Sequence, residues 1–174
     1  MPDTVSVWTW LWLSLRSLLW MLLLPGLFAA YLPWRFFGLA SVRDLSGVVP
    51  IIGLLCMGAG TCLLLACIFE FARSGRGTLS PMDPPRHLVV RGLYRYVRNP
   101  MYLSVTLIVL GEAILMRSIP LAVYWAIWFL CANMFVIGYE EPWLRENFGA
   151  SYDQYARRVG RWIPAFDRSD GGSS

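Results

Sequence analysis

The chain has 174 residues, 57% of them hydrophobic and 15% charged, with a formal net charge of +4. That length suits one domain, and so apolar a composition lies outside the usual range of soluble proteins. All fifteen basic residues are arginine, which excludes lysine Schiff-base chemistry and a P-loop lysine, and a single His87 excludes zinc sites built on two or three histidines.

Nine Trp, eight Tyr and nine Phe suit a protein that lines two membrane interfaces. Since a bilayer core takes roughly 20 apolar residues per helix, the hydropathy pattern predicts an all-α polytopic membrane protein with about four transmembrane helices. Arg16 interrupts the first apolar run, and a charge at mid-bilayer costs at least ~2.5 kcal/mol. The first span is therefore expected over 18–34, with the preceding Trp-rich turns in the interface. That run is too long, and lacks the basic flank, for a cleaved signal peptide. The second span is expected over 48–72, where Gly58, Cys62 and Ala66 form a small-residue stripe that would admit another helix. Together these spans make an N-terminal membrane unit over 1–72. Cys56, Cys62, Cys67 and Cys131 lie in apolar runs without a CxxC pair and read as small hydrophobes.

A second region, 73–168, begins with a polar loop and continues as a helical hairpin over 101–139. Only Arg117 and Ser118 separate its limbs, Met101–Met116 and Ile119–Tyr139. Beyond it, Tyr152, Tyr155, Val159 and Trp162 recur at helical spacing among arginines, the pattern of an amphipathic interfacial helix. Residues 169–174 read as a disordered tail. Arginines cluster in two segments, Arg73 to Arg98 and Arg145 to Arg168, separated by an even number of spans and hence on the same side. The positive-inside rule makes that side cytoplasmic. It also explains the basic charge through the lipid bilayer as partner, with neither nucleic acid nor metal.

Candidate chemistry gathers on that side. Arg91, Arg95 and Arg98 approach Asn99-Pro100, where proline forces the preceding residue out of helical geometry and opens the next helix with free N–H groups. A basic anchor for lipid phosphates would use the same residues. Adjacent carboxylates at a membrane boundary, Glu140-Glu141, need cationic partners. Glu141 has Arg145 four residues on, while Glu140, lacking a local partner, is expected to face Arg98 and Tyr102 across the hairpin. Glu112, near the far end of the third span, is either a functional acid or the partner of Arg117.

Arg98-Asn99-Pro100-Met101-Tyr102, followed by Glu140-Glu141 and by Phe148-Gly149 with Tyr152 and Tyr155, resembles the isoprenylcysteine carboxyl methyltransferase and phospholipid methyltransferase family. The resemblance extends from Gly77-Thr78, Pro84-Pro85 and His87-Leu88-Val89 to Arg161-Trp162-Ile163-Pro164. It implies an integral membrane methyltransferase using S-adenosyl-L-methionine. By resemblance, His87, Leu88 and Val89 belong to the cofactor loop, the latter two lining the adenine with Tyr94 nearby. Arg98, Asn99, Pro100 and Tyr102 contact the cofactor and Glu140 holds its methionine end. Arg98, Tyr102 and Glu141 are the expected catalytic groups, Glu141 as the base an amine acceptor would need. Two positions depart from the family pattern: Asn99 stands where many members have histidine, and Val136 where the prenylcysteine enzymes place a substrate-binding arginine. The second departure weighs against a prenylated cysteine.

The acceptor implied is amphipathic or lipid-linked, either a carboxylate or a lipid amine, entering from the bilayer of a bacterial cytoplasmic membrane. Two other readings stay open: an NADPH-dependent membrane reductase of the steroid 5-alpha-reductase type, and a non-catalytic membrane anchor.

Overall fold

The computed structural model describes residues 23, 25–37, 46–74, 90 and 92–164. The start of the first span, His87, Leu88, Val89 and the tail after 164 lie outside the described residues. A π-helical turn, Leu27–Tyr31, leads into α1 (Leu32–Phe37). The long α2 (Val48–Ser74) and a 3-10 turn (Gly92–Arg95) follow, then α3 (Pro100–Leu115) and α4 (Ile119–Phe135). A second π-helical turn, Val136–Glu140, joins α4 to α5 (Glu141–Phe148), and α6 (Ala150–Arg158) ends the helical part. Among the described residues the backbone is helical throughout, apart from turns and one isolated bridge between Val97 and Gly160.

Two of these segments, Val48–Glu70 and the continuous helix Ile119–Phe148, are long and apolar enough to cross a membrane. They leave Leu55, Ile119 and Met134 largely exposed, as lipid-facing side chains would be. The remaining limb of the hairpin differs. Helix α3 has 16 residues, about 24 Å at the usual rise and short of a bilayer core. It is the interior helix, burying Val105, Val109, Gly111 and Ala113.

Helix α2 lies against α3 along Gly53, Gly60 and Cys67, which are buried. A Cβ on Gly60 would sit 2.7 Å from the Ser104 carbonyl oxygen, and one on Gly111 would sit 2.6 Å from that of Gly53. The expected stripe, Gly58, Cys62 and Ala66, is instead exposed. A seven-residue spacing returns almost to the same face after two turns, whereas a four-residue spacing drifts around the helix. Both patterns are present in α2, and the position of Gly111 on α3 selects the first.

The hairpin turn is a Schellman motif: Ser118 N–H bonds the Ala113 carbonyl and Arg117 N–H that of Ile114, at 3.1 Å each. Its left-handed position, normally glycine, is held by Arg117 at φ 47°. Non-glycine residues pay roughly 1 kcal/mol there. Arg117→Gly is therefore expected to stabilise the protein by about 1 kcal/mol in detergent unfolding; an unchanged or lower midpoint would refute this reading of the turn.

Both π-helical turns end one residue before an X-Pro step, and the cause is proline's missing N–H. Leu32 N–H bonds back to the Leu27 carbonyl, so the next bond in that register would join Phe28 to Pro33, which has no donor. The Tyr124 hydroxyl supplies one instead, donating to the Phe28 carbonyl at 2.8 Å and tying α4 to the first segment. In the second case Glu141 N–H bonds the Val136 carbonyl, and Pro142 follows. The fourth span does not stop at Tyr139 as its hydropathy predicts. The wider turn absorbs the proline and the helix runs on.

The tail also departs from expectation. Helix α6 stops at Arg158, so Val159 and Trp162 lie beyond it. Tyr152, Tyr155 and Val159 are buried against Leu144, Phe148 and Ala156. The Trp162 indole donates to Asn133 Oδ1 at 2.9 Å and meets the Phe129 ring 5.3 Å away. The apolar stripe that reads as a membrane-facing surface is covered by the protein's own helices.

Candidate active site

The continuous helix carries Glu140 and Glu141 past the start of α3, and consecutive helical residues point about 100° apart. One carboxylate therefore faces α3 while the other faces the returning tail. Tyr102, in the first turn of α3, donates its hydroxyl to Glu140 Oε1 at 2.7 Å. The second Glu140 oxygen has no protein partner among the described residues.

Glu141 is buried, only 3% exposed, and its partners come from several elements. Arg161 grips it with two bonds, Nε to Oε1 at 2.6 Å and Nη2 to Oε2 at 2.9 Å. Arg98 Nη1 adds a third at 2.9 Å. The expected partner Arg145 reaches it only at 3.5 Å, from a side chain half exposed and shared with Asp153. Thus Glu140 faces Tyr102 as expected, but Arg98 belongs to Glu141. The side chains of Arg98 and Glu141 lie 13% and 4% exposed, so the pair is largely dry.

The segment before α3 is clasped by the tail. Arg98 N–H donates to the Gly160 carbonyl at 2.9 Å, beside the Val97–Gly160 bridge. Asn99 directs its amide to the Arg161 carbonyl at 3.3 Å and makes no side-chain cap on α3. Pro100 opens that helix, buried. Tyr155 donates to the Tyr94 carbonyl at 2.8 Å, and Arg98 reaches the Tyr152 hydroxyl at 3.4 Å. Burial pushes the phenols of Tyr94 and Tyr155 above their ordinary range, so both stay protonated and neutral. Gly92 takes φ 54°, and any Cβ there would strike the Glu70 carboxylate at 2.6 Å. The turn thus rests on the end of α2.

Sequence reasoning did not single out Arg161, although it makes the closest contacts to Glu141. The available signal was Ile163-Pro164 just beyond, which stops any helix there, together with the excess of carboxylate over local cation at Glu140-Glu141. Among the described residues, the second Glu140 oxygen makes no bond, and Arg98 Nε is a buried donor without an acceptor. They suit a ligand that carries both a cation and an acceptor such as a carboxylate.

A helical membrane hairpin thus carries a cluster of acids and arginines at its open end, where α3 begins and the second limb ends. The chain belongs to the phospholipid methyltransferase family, whose model matches residues 48–151, from the start of α2 into α6. It is accordingly a membrane methyltransferase by family. No curated protein and no solved structure matches the chain.

Proposed function

We propose that the protein transfers a methyl group from S-adenosylmethionine to an amphipathic acceptor at the Arg-rich face of the membrane, the cytoplasmic face by the positive-inside rule. The observation that carries this reading is the unequal treatment of two adjacent glutamates. Glu141 is surrounded by arginine, whereas Glu140 bonds only Tyr102 among the described residues, and Arg98 keeps a buried Nε without an acceptor. The methionine end of the cofactor carries an ammonium and a carboxylate, and the residues present fit it: Glu140 would take the first and Arg98 the second. When bound, S-adenosylmethionine supplies an electrophilic methyl on a sulfonium, whose sulfur keeps the bonding electrons as the acceptor takes the carbon.

In this reading the protein's part is positioning and exclusion of water. Tyr102 fixes the Glu140 rotamer through its hydroxyl. Asn99 and Pro100 act through the backbone, holding Arg98 against the tail. Glu141 is a positioning residue and not the base expected from the sequence, because its oxygens are committed to Arg161 and Arg98. The acceptor enters from the bilayer between lipid-facing helices, and the family description favours a phospholipid headgroup amine.

Calorimetric titration of the detergent-solubilised protein with S-adenosylhomocysteine, with NADPH as control, tests the reading. Saturable binding of the first alone is expected. Binding of NADPH alone would turn the assignment to a reductase, and binding of neither would leave the charged cluster as a membrane anchor.

A further inference from the structure

Away from this site, a cavity of about 460 Å³ opens between the first helical segment and the far end of α3. Gly26 and Ala30 leave the room, Met116 closes one side, and Tyr31 and Trp34 stand at the rim with ring centroids 6.4 Å apart. Glu112 is the acidic group in its wall. Its Oε2 is buried and has no hydrogen-bond partner. Arg117, its expected partner, is exposed at the hairpin turn and makes no ion pair with it among the described residues. The neighbouring Tyr124 hydroxyl is committed to the Phe28 carbonyl.

Glu112 lies ten residues along α3 from Tyr102, about 15 Å at the helical rise, so the cavity is separate from the proposed cofactor site. An uncompensated carboxylate at this depth is unfavourable, and the carbonyl end of α3, three residues on, adds further negative potential. A cation is what the position lacks. Aromatic faces beside a carboxylate, over apolar walls, select an organic cation with a hydrocarbon portion in preference to a hydrated metal ion. We propose that this cavity is a second binding site, for an alkylammonium group, with Glu112 as counter-ion and Tyr31 and Trp34 as its aromatic wall. The group would come from a lipid headgroup or from a free amine.

The test is calorimetric titration of the full chain in maltoside detergent with hexyltrimethylammonium, and with hexyl sulfate as control. Saturable binding of the cation alone is expected, weakened at least tenfold in Glu112→Gln and reduced in Trp34→Leu, with unfolding midpoints not lowered. Phospholipid retained through purification and released by the cation would identify the lipid source; cation binding to lipid-free protein would identify a free amine. Either supports the site. Failure of the wild type to bind, equal binding by Glu112→Gln, or equal binding of hexyl sulfate would overturn it. None of these outcomes depends on whether S-adenosylhomocysteine binds at the other end.

Discussion

Replacing Glu141 with glutamine is expected to lower the unfolding free energy by about 3 kcal/mol, the scale for removing one partner of a buried ion pair. The glutamate is nearly inaccessible, and it neutralises Arg98 and Arg161 together. Glutamine has the same shape but no charge, so two guanidiniums would stay crowded and partly desolvated with only a neutral acceptor between them. The clasp of Val97, Arg98 and Asn99 against Gly160 and Arg161 would loosen with it, since Arg161 supplies both the ion pair and the carbonyl that Asn99 uses. Unfolding in detergent followed by tryptophan fluorescence measures the loss. Arg145→Ala is the control: its contact is long and half exposed, so less than about 1 kcal/mol should follow. Equal losses in the two variants would mean that the cluster is a surface network and not an anchor.

Glu140→Gln, one residue away, is expected to behave in the opposite manner. The fold should keep its midpoint, because the Tyr102 hydroxyl can donate to the glutamine oxygen as it does to Glu140 Oε1. Affinity for S-adenosylhomocysteine should fall by a hundredfold or so, the scale for losing a charge-assisted bond of about 3 kcal/mol in a sheltered site. Methyl transfer should fall with it. Unchanged affinity in a well-folded Glu140→Gln protein would remove Glu140 from the cofactor site. The contrast between the neighbours is informative because sequence distance, residue type and membrane depth are nearly the same for both. Only their directions differ.

Those directions arise from Pro142. Hydropathy and the proline together read as the end of one helix and the start of another, and that reading gives Glu140 both Tyr102 and Arg98 and leaves Glu141 to Arg145. A π-helical turn absorbs the missing N–H and continues the helix, which sends Glu140 toward Tyr102 and Glu141 toward Arg161. The same reasoning accounts for the tail. Tyr152 and Tyr155 show the spacing of an amphipathic helix from sequence alone, but spacing does not say whether lipid or protein covers the apolar side.

What the sequence determined by itself was the class of solvent and the inventory of chemistry. Long apolar stretches, arginine segregation, adjacent glutamates and Arg98-Asn99-Pro100 are local properties, and they point to a membrane protein with its arginines unevenly distributed along the chain. Only the tertiary structure decided the pairing within that inventory: Arg98 with Glu141 and not Glu140, Gly53 and Gly60 and not Gly58 against α3, and Glu112 without Arg117. Composition and periodicity state what a residue needs, whereas partners far apart in the chain are chosen by helix rotation. In this chain that rotation is set by a few glycine contacts and by prolines absorbed into wider turns.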